Sequence, residues 1–134
     1  MTVFQVQDLR HTFDRSTQVL RGITFDVQPG TMTAIMGPSG SGKSTLLNCM
    51  AQLIRPSGGE VVYRGEDLSR MRPAAIDRLR RKSWGFIFQS YNLIDALTAE
   101  DNVKLPALFD GSRMSSDVSS QALQRVGLSG LEKR

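Results

Sequence analysis

The sequence predicts an α/β fold, and three observations carry the prediction. The first third consists of short segments with β-type patterning. A glycine-rich run from Gly37 to Thr45 follows a short apolar segment. Behind that run, apolar residues return at helical rather than alternate spacing.

The elements follow in order. Val3, Phe4, Val6 and Leu9 give a first strand with imperfect alternation, and Val19-Leu20 with Ile23 to Val27 give a second. Gln28-Pro29-Gly30 is a turn, since proline presets φ and glycine accepts a positive φ. Met32 to Met36 is short and mostly apolar, the pattern of a strand buried on both faces. The helix after the glycine run carries Leu46, Leu47, Cys49, Met50, Leu53 and Ile54 on one face, and Pro56-Ser57-Gly58-Gly59 ends it. Glu60 to Arg64 is a strand turned by Gly65-Glu66-Asp67. Pro73 to Lys82 reads as a helix, with proline at a first helical position and Arg80, Arg81 and Lys82 at the negative end of the dipole. Trp84 to Phe88 is another buried-type strand, ending at Gln89. Thr98 caps a helix with Glu100 and Asp101 in its first turn, and Pro106 leaves its far end open. Gly111 to Ser120 reads as a surface loop leading into a last helix of Val118, Ala122, Leu123 and Val126, stopped by Gly127.

Composition sets the bounds. The 134 residues amount to one domain, 40% hydrophobic and 22% charged, as in an ordinary globular protein. No apolar run approaches the ~18 residues that cross a bilayer, and the N-terminus lacks the pattern of a secretory signal, so the expected location is cytoplasmic. The net charge of +4 is mild; it suits an anionic ligand or a membrane surface and does not call for nucleic acid. Cys49 is the one cysteine and His11 the one histidine, which excludes an intrachain disulfide or a Cys/His metal site. Cys49 reads as a small core residue and His11 as a surface residue. The basic stretch from Arg70 to Lys82 reads as a solvated helix face.

The chemistry lies in Gly37-Pro38-Ser39-Gly40-Ser41-Gly42-Lys43-Ser44-Thr45. Gly-x-x-x-x-Gly-Lys-Ser is the phosphate-loop pattern, and this composition would produce about 0.005 chance matches. The glycines let successive N–H groups converge on phosphate oxygens. The helix starting near Gly42 adds its positive dipole end. Lys43 would reach the β- and γ-phosphates, and the Ser44 hydroxyl would hold Mg²⁺. A GTPase would need Asn-Lys-x-Asp to read guanine, and no such run occurs.

With that loop in hand, the whole chain resembles the nucleotide-binding subunit of ATP-binding-cassette (ABC) transporters. Val19 to Phe25 is similar to the family's strand before the loop, Pro56 to Val61 to its Pro-Thr-Ser-Gly-Glu-Val segment, and Gly85 to Leu93 to its Q-loop. Glu100 to Pro106 is most similar to the lipoprotein-release and macrolide-export branch. The resemblance implies a P-loop NTPase fold of ABC ATPase type, with an N-terminal antiparallel β subdomain beside a P-loop core. It implies ATP and Mg²⁺ as ligands. Phe13 falls where the family stacks an aromatic on adenine, and Phe suffices because the π-face does the stacking. Gln89 falls at the Q-loop glutamine, touching Mg²⁺ or the attacking water; with Lys43 it forms the implied catalytic pair. The implied partners are a second ATP-binding subunit and a transmembrane permease, met through Gln89 to Ile94; apolar residues at 91–94 would equally suit a core. The implied location is the inner face of the cell membrane.

Three family features are absent from the sequence: an apolar strand ending in Asp-Glu, the signature Leu-Ser-Gly-Gly-Gln, and the late switch histidine. Leu128-Ser129-Gly130 continues as Leu131-Glu132 and reads as a coincidence. In the family all three lie beyond the point matching Arg134. Residues 1–134 are therefore expected to be the N-terminal portion of one ATP-binding domain, incomplete on its C-terminal side. Such a chain would bind nucleotide at most and would not turn it over alone.

Overall fold

A computed structural model describes residues 2–14 and 16–134; Met1 and Arg15 lie outside it. The chain forms two compact units, Met1–Arg80 and Arg81–Arg134.

The first unit holds an antiparallel sheet of β1 (Phe4–Thr12), β2 (Gln18–Val27), β3 (Gly58–Tyr63) and β4 (Glu66–Asp67), in the order β2-β1-β3-β4. Val6 stands opposite Phe25 on one side and Val61 on the other. The imperfect alternation of β1 has a structural cause. Both ladders shift register around Asp8, which takes a φ of 46° and donates its N–H to Thr24 Oγ1 at 2.9 Å. A Cβ on Gly59 would stand 2.3 Å from the Asp8 carbonyl oxygen, and one on Gly22 would stand 2.7 Å from Asp8 Oδ1. Glycine on both neighbouring strands therefore makes room for the bulge. The extra residue re-phases the strand, so Val6 and Leu9, three apart, are both fully buried.

α1 (Lys43–Met50) buries Leu46, Cys49 and Met50, confirming Cys49 as a core residue. The helix stops well before Pro56. Gln52 adopts a left-handed conformation, with φ 55°, and the N–H groups of Leu53 and Ile54 both turn back to the Asn48 carbonyl. Leu53 is consequently exposed instead of extending the apolar face. β3 and β4 are joined through Arg64 and Gly65, both with positive φ, so the turn falls earlier than Gly65-Glu66-Asp67. α2 (Pro73–Ser83) starts at its proline as expected and buries none of its residues fully. Arg80 in this helix bonds the Gln52 carbonyl and pairs with Asp77.

The strand expected at Met32 to Met36 does not form. The segment has no strand structure, and Met32 and Met36 are 99% and 88% exposed. A strand buried on both faces needs hydrogen-bonded neighbours, and among the described residues this segment pairs with no strand of the sheet.

The second unit shows the same outcome at Trp84 to Phe88. These residues form no strand; Ile87 is fully exposed, while Phe86 and Phe88 stack with centroids 5.8 Å apart. The helices obey their caps. Thr98 accepts from the Asp101 N–H at the start of α3 (Ala99–Phe109), which runs through Pro106. Buried Glu100 ties α3 to the chain end, pairing with Lys104 at 2.6 Å and Lys133 at 2.8 Å. α4 (Ser116–Arg125) begins inside the expected 111–120 loop because Ser115 caps it, accepting from the Val118 N–H. Gly127, with φ 77°, follows its end as expected. Among the described residues no helix is long and apolar enough to cross a membrane.

Candidate functional site

The glycine run sits between an extended segment and α1. Ser41 donates its N–H to the Pro38 carbonyl at 3.3 Å, closing the turn. Gly42 is the N-cap of α1 with φ 92°, and no side chain caps the helix. A Cβ there would lie 2.9 Å from Val19 Cγ1 and 3.3 Å from the Val19 carbonyl oxygen, so only glycine lets the helix start against β2. The first turn of α1 contains no acidic residue. The leading N–H groups of an α-helix lack intrahelical acceptors and carry partial positive charge. Here they open onto an exposed loop, Gly37 to Ser41. This is the electrostatics of an anion cradle.

Lys43 turns back over the loop that precedes it. Its Nζ donates to the carbonyls of Gly37 at 2.9 Å and Pro38 at 2.7 Å. The ammonium is thus already placed at the mouth of the cradle. Ser44, one residue on, is exposed. A cavity of about 560 Å³ lies behind the loop, with Leu20, Ile23, Phe25, Ile35 and Leu46 among its lining. Among the described residues no three His, Cys, Asp or Glu side chains group as a metal cage. The donor set instead suits a hard cation that keeps its waters and arrives with phosphate oxygens.

Phe13 stands in the β1–β2 turn, 60% exposed. Its N–H donates to the Thr17 carbonyl at 3.4 Å, two residues before the Val19 that packs under Gly42. Phe13 and the phosphate loop therefore share one end of β2. Asp14, which sequence reading passed over, organises this turn. Its Oδ1 accepts from the N–H groups of Ser16 at 2.9 Å and Thr17 at 2.6 Å. Those backbone bonds, reinforced by both hydroxyls, lower its pKa to about 2. An aspartate two and three residues before such partners is an Asx-turn signal, legible once the turn is located.

His11 overturns the expectation of a surface residue. It is 7% exposed, because the bulge at Asp8 re-phases β1 and places Leu9 and His11 on the inner face with Arg10 outward. Its ring lies perpendicular to that of Phe13, at 87° with centroids 4.6 Å apart.

Gln89 belongs to the second unit, where it is exposed beside a turn in which Tyr91 and Asn92 have positive φ. Tyr91, Leu93 and Ile94 are exposed as well, so they are not core residues.

A family pattern described as ABC transporter matches residues 20–134. The chain belongs to the ABC transporter family. Its fold is that of the ABC ATPase cassettes: the dimeric cassette MJ0796 superposes with a TM-score of 0.81 at 32% identity, over 92% of this chain and 56% of that one. A post-hydrolysis form of MJ0796, bound to ADP and Pi, matches equally well. This ABC chain is 45% identical over 113 residues to the macrolide export ATP-binding/permease protein MacB of Brucella abortus, spanning 82% of this chain and 18% of that protein. It is 47% identical over 116 residues to the lipoprotein-releasing system ATP-binding protein LolD 1 of Rhodopseudomonas palustris, spanning 84% of this chain and 51% of that protein. The lipoprotein-release and macrolide-export branch anticipated from Glu100 to Pro106 is thus represented by both relatives. The ABC chain covers about half the length of LolD 1 and under a fifth of MacB.

Proposed function

We propose that residues 1–134 form the nucleotide-binding front of one ABC ATP-binding domain, and that the whole protein couples ATP binding and hydrolysis to export or extraction of a substrate at the membrane. Phe13 stacks on adenine. The N–H groups of Gly40 to Thr45 wrap the phosphates, and Lys43 exchanges the Gly37 and Pro38 carbonyls for β- and γ-phosphate oxygens. Ser44 and, by the family resemblance, Gln89 would hold Mg²⁺, which would supply neutralising charge to the phosphates. Gln89 also faces the attacking water and reports nucleotide state. The partners are a second ATP-binding subunit, completing each site at the dimer interface, and a permease meeting the exposed residues from Gln89 to Ile94. The protein sits on the cytoplasmic face of the membrane.

One observation supports this reading above the rest: an uncapped helix start with Lys43 folded over the loop before it. Calorimetric titration of ATP into the full chain tests it. Lys43→Ala removes a charge-assisted partner and is expected to weaken binding about tenfold or more. Equal affinity in the variant would refute the assignment. Steady ATP turnover by the 134-residue chain, measured as phosphate release, would refute its predicted inactivity; the chain lacks the Asp-Glu strand and the signature.

A further inference from the structure

His11 is the most anomalous buried group in the first unit. It is 7% exposed, and neither Nδ1 nor Nε2 has a hydrogen-bond partner among the described residues. Stripping water from two polar ring atoms without replacement is unfavourable, and most proteins avoid it. An apolar side chain would fill this inner position of β1 without that cost. What the imidazole offers in return is a ring. It lies at 87° to Phe13, centroids 4.6 Å apart, an arrangement in which the positive edge of one ring meets the negative face of the other. Phe13 meanwhile is 60% exposed, so much of its ring remains open to solvent. On its other side, the turn that carries Phe13 is fixed by the four acceptor bonds of Asp14.

We infer that His11 is a positioning residue for nucleotide recognition: its buried ring holds Phe13 at the angle that presents an open face to the adenine base. This rests on the reading of Phe13 as the adenine platform. An unsupported phenyl ring must be ordered when the base stacks, and ordering one side chain on binding weakens affinity about two- to tenfold. The phosphate half of the ligand does not touch this platform, so the effect is confined to the base.

The test separates the two halves. Dissociation constants for Mg-ATP and for Mg-tripolyphosphate are measured by calorimetry on the full chain and on His11→Ala, His11→Phe and Phe13→Ala. His11→Ala is expected to bind ATP about two- to tenfold more weakly and tripolyphosphate unchanged. His11→Phe, which keeps a ring, is expected to restore ATP affinity. If circular dichroism shows His11→Ala unfolded, His11→Leu fills the site without a ring and carries the same expectation. Unchanged ATP affinity in the ringless variant, alongside a loss in Phe13→Ala, would overturn the role of His11 and leave the adenine platform standing. Equal losses for both ligands, or no rescue by phenylalanine, would overturn it too. Unchanged ATP affinity in Phe13→Ala would overturn the platform itself.

Discussion

Gly40 and Gly42 offer a paired experiment on the phosphate loop. Both have left-handed backbones, with φ 77° and 92°, so alanine at either strains the chain by about 1–2 kcal/mol. Their surroundings differ. A Cβ on Gly40 meets nothing within 4 Å, whereas one on Gly42 meets Val19 Cγ1 at 2.9 Å and the Val19 carbonyl oxygen at 3.3 Å. The backbone oxygen belongs to β2 and cannot swing aside. Gly42→Ala must therefore push α1 off the sheet, adding an overpacking cost of about 1–3 kcal/mol. With a urea dependence of about 1.5 kcal/mol per molar, the Gly42→Ala midpoint should fall about 0.7–2 M below that of Gly40→Ala. Urea unfolding followed by circular dichroism reads this directly. Coincident midpoints for the two variants would refute the claim that close approach of helix and strand, rather than φ alone, demands glycine at 42.

Other expectations follow from single contacts. Asp14 should titrate with a midpoint of about 2, seen in the Ser16 and Thr17 amide shifts. Because its folded pKa is lowered, its contribution to the turn is complete above the ordinary aspartate value of about 3.9 and is lost as pH falls through about 2; a midpoint near 3.9 would show the turn bonds to be absent in solution. Cys49 is buried and burial pushes its thiol pKa up, so a maleimide should label it slowly in the native protein and quickly in denaturant. Fast native labelling would contradict its place in the core. Glu100→Gln should speed hydrogen exchange at Ala99 and Glu100, whose amides donate to the Arg134 and Glu132 carbonyls, by loosening the chain end that Lys133 secures. Unchanged exchange would mean that the backbone bonds alone hold it. The lysine partners keep the Glu100 carboxyl well below its usual range, so this contribution should persist at pH values where ordinary glutamates have protonated.

Much of this was legible because local chemistry decided it. Pro73 starts α2, Thr98 caps α3, and Gly127 follows the end of α4. Lys43 acts locally too, reaching the Gly37 and Pro38 carbonyls, whereas the demand for glycine at 42 comes from Val19 on β2. What failed depended on distant partners. Met32 to Met36 and Trp84 to Phe88 have strand composition, but composition cannot supply the neighbours that make a strand. His11 was misread for a different reason: period-two reasoning carries no information about an added residue upstream, and the extra residue at Asp8 moves the inward positions that follow from even to odd numbers. α1 likewise ended early through Gln52, a residue with no strong breaker signature.

The Asp8 bulge is one added residue in β1, and the inward positions on either side of it, Val6 before and Leu9 and His11 after, lie on one face. Removing Asp8 would restore plain alternation and leave Leu9 and His11 on the inner face, so the side that Phe13 occupies should survive the deletion. Gly22 and Gly59 would meanwhile lose their close contacts with Asp8 and keep the demand of a positive φ, 90° and 83°. Among natural relatives, a one-residue deletion near position 8 should therefore occur together with asparagine or aspartate at 22 and 59, the side chains that tolerate a left-handed backbone, a three-site covariation that links an indel on one strand to substitutions on its two neighbours.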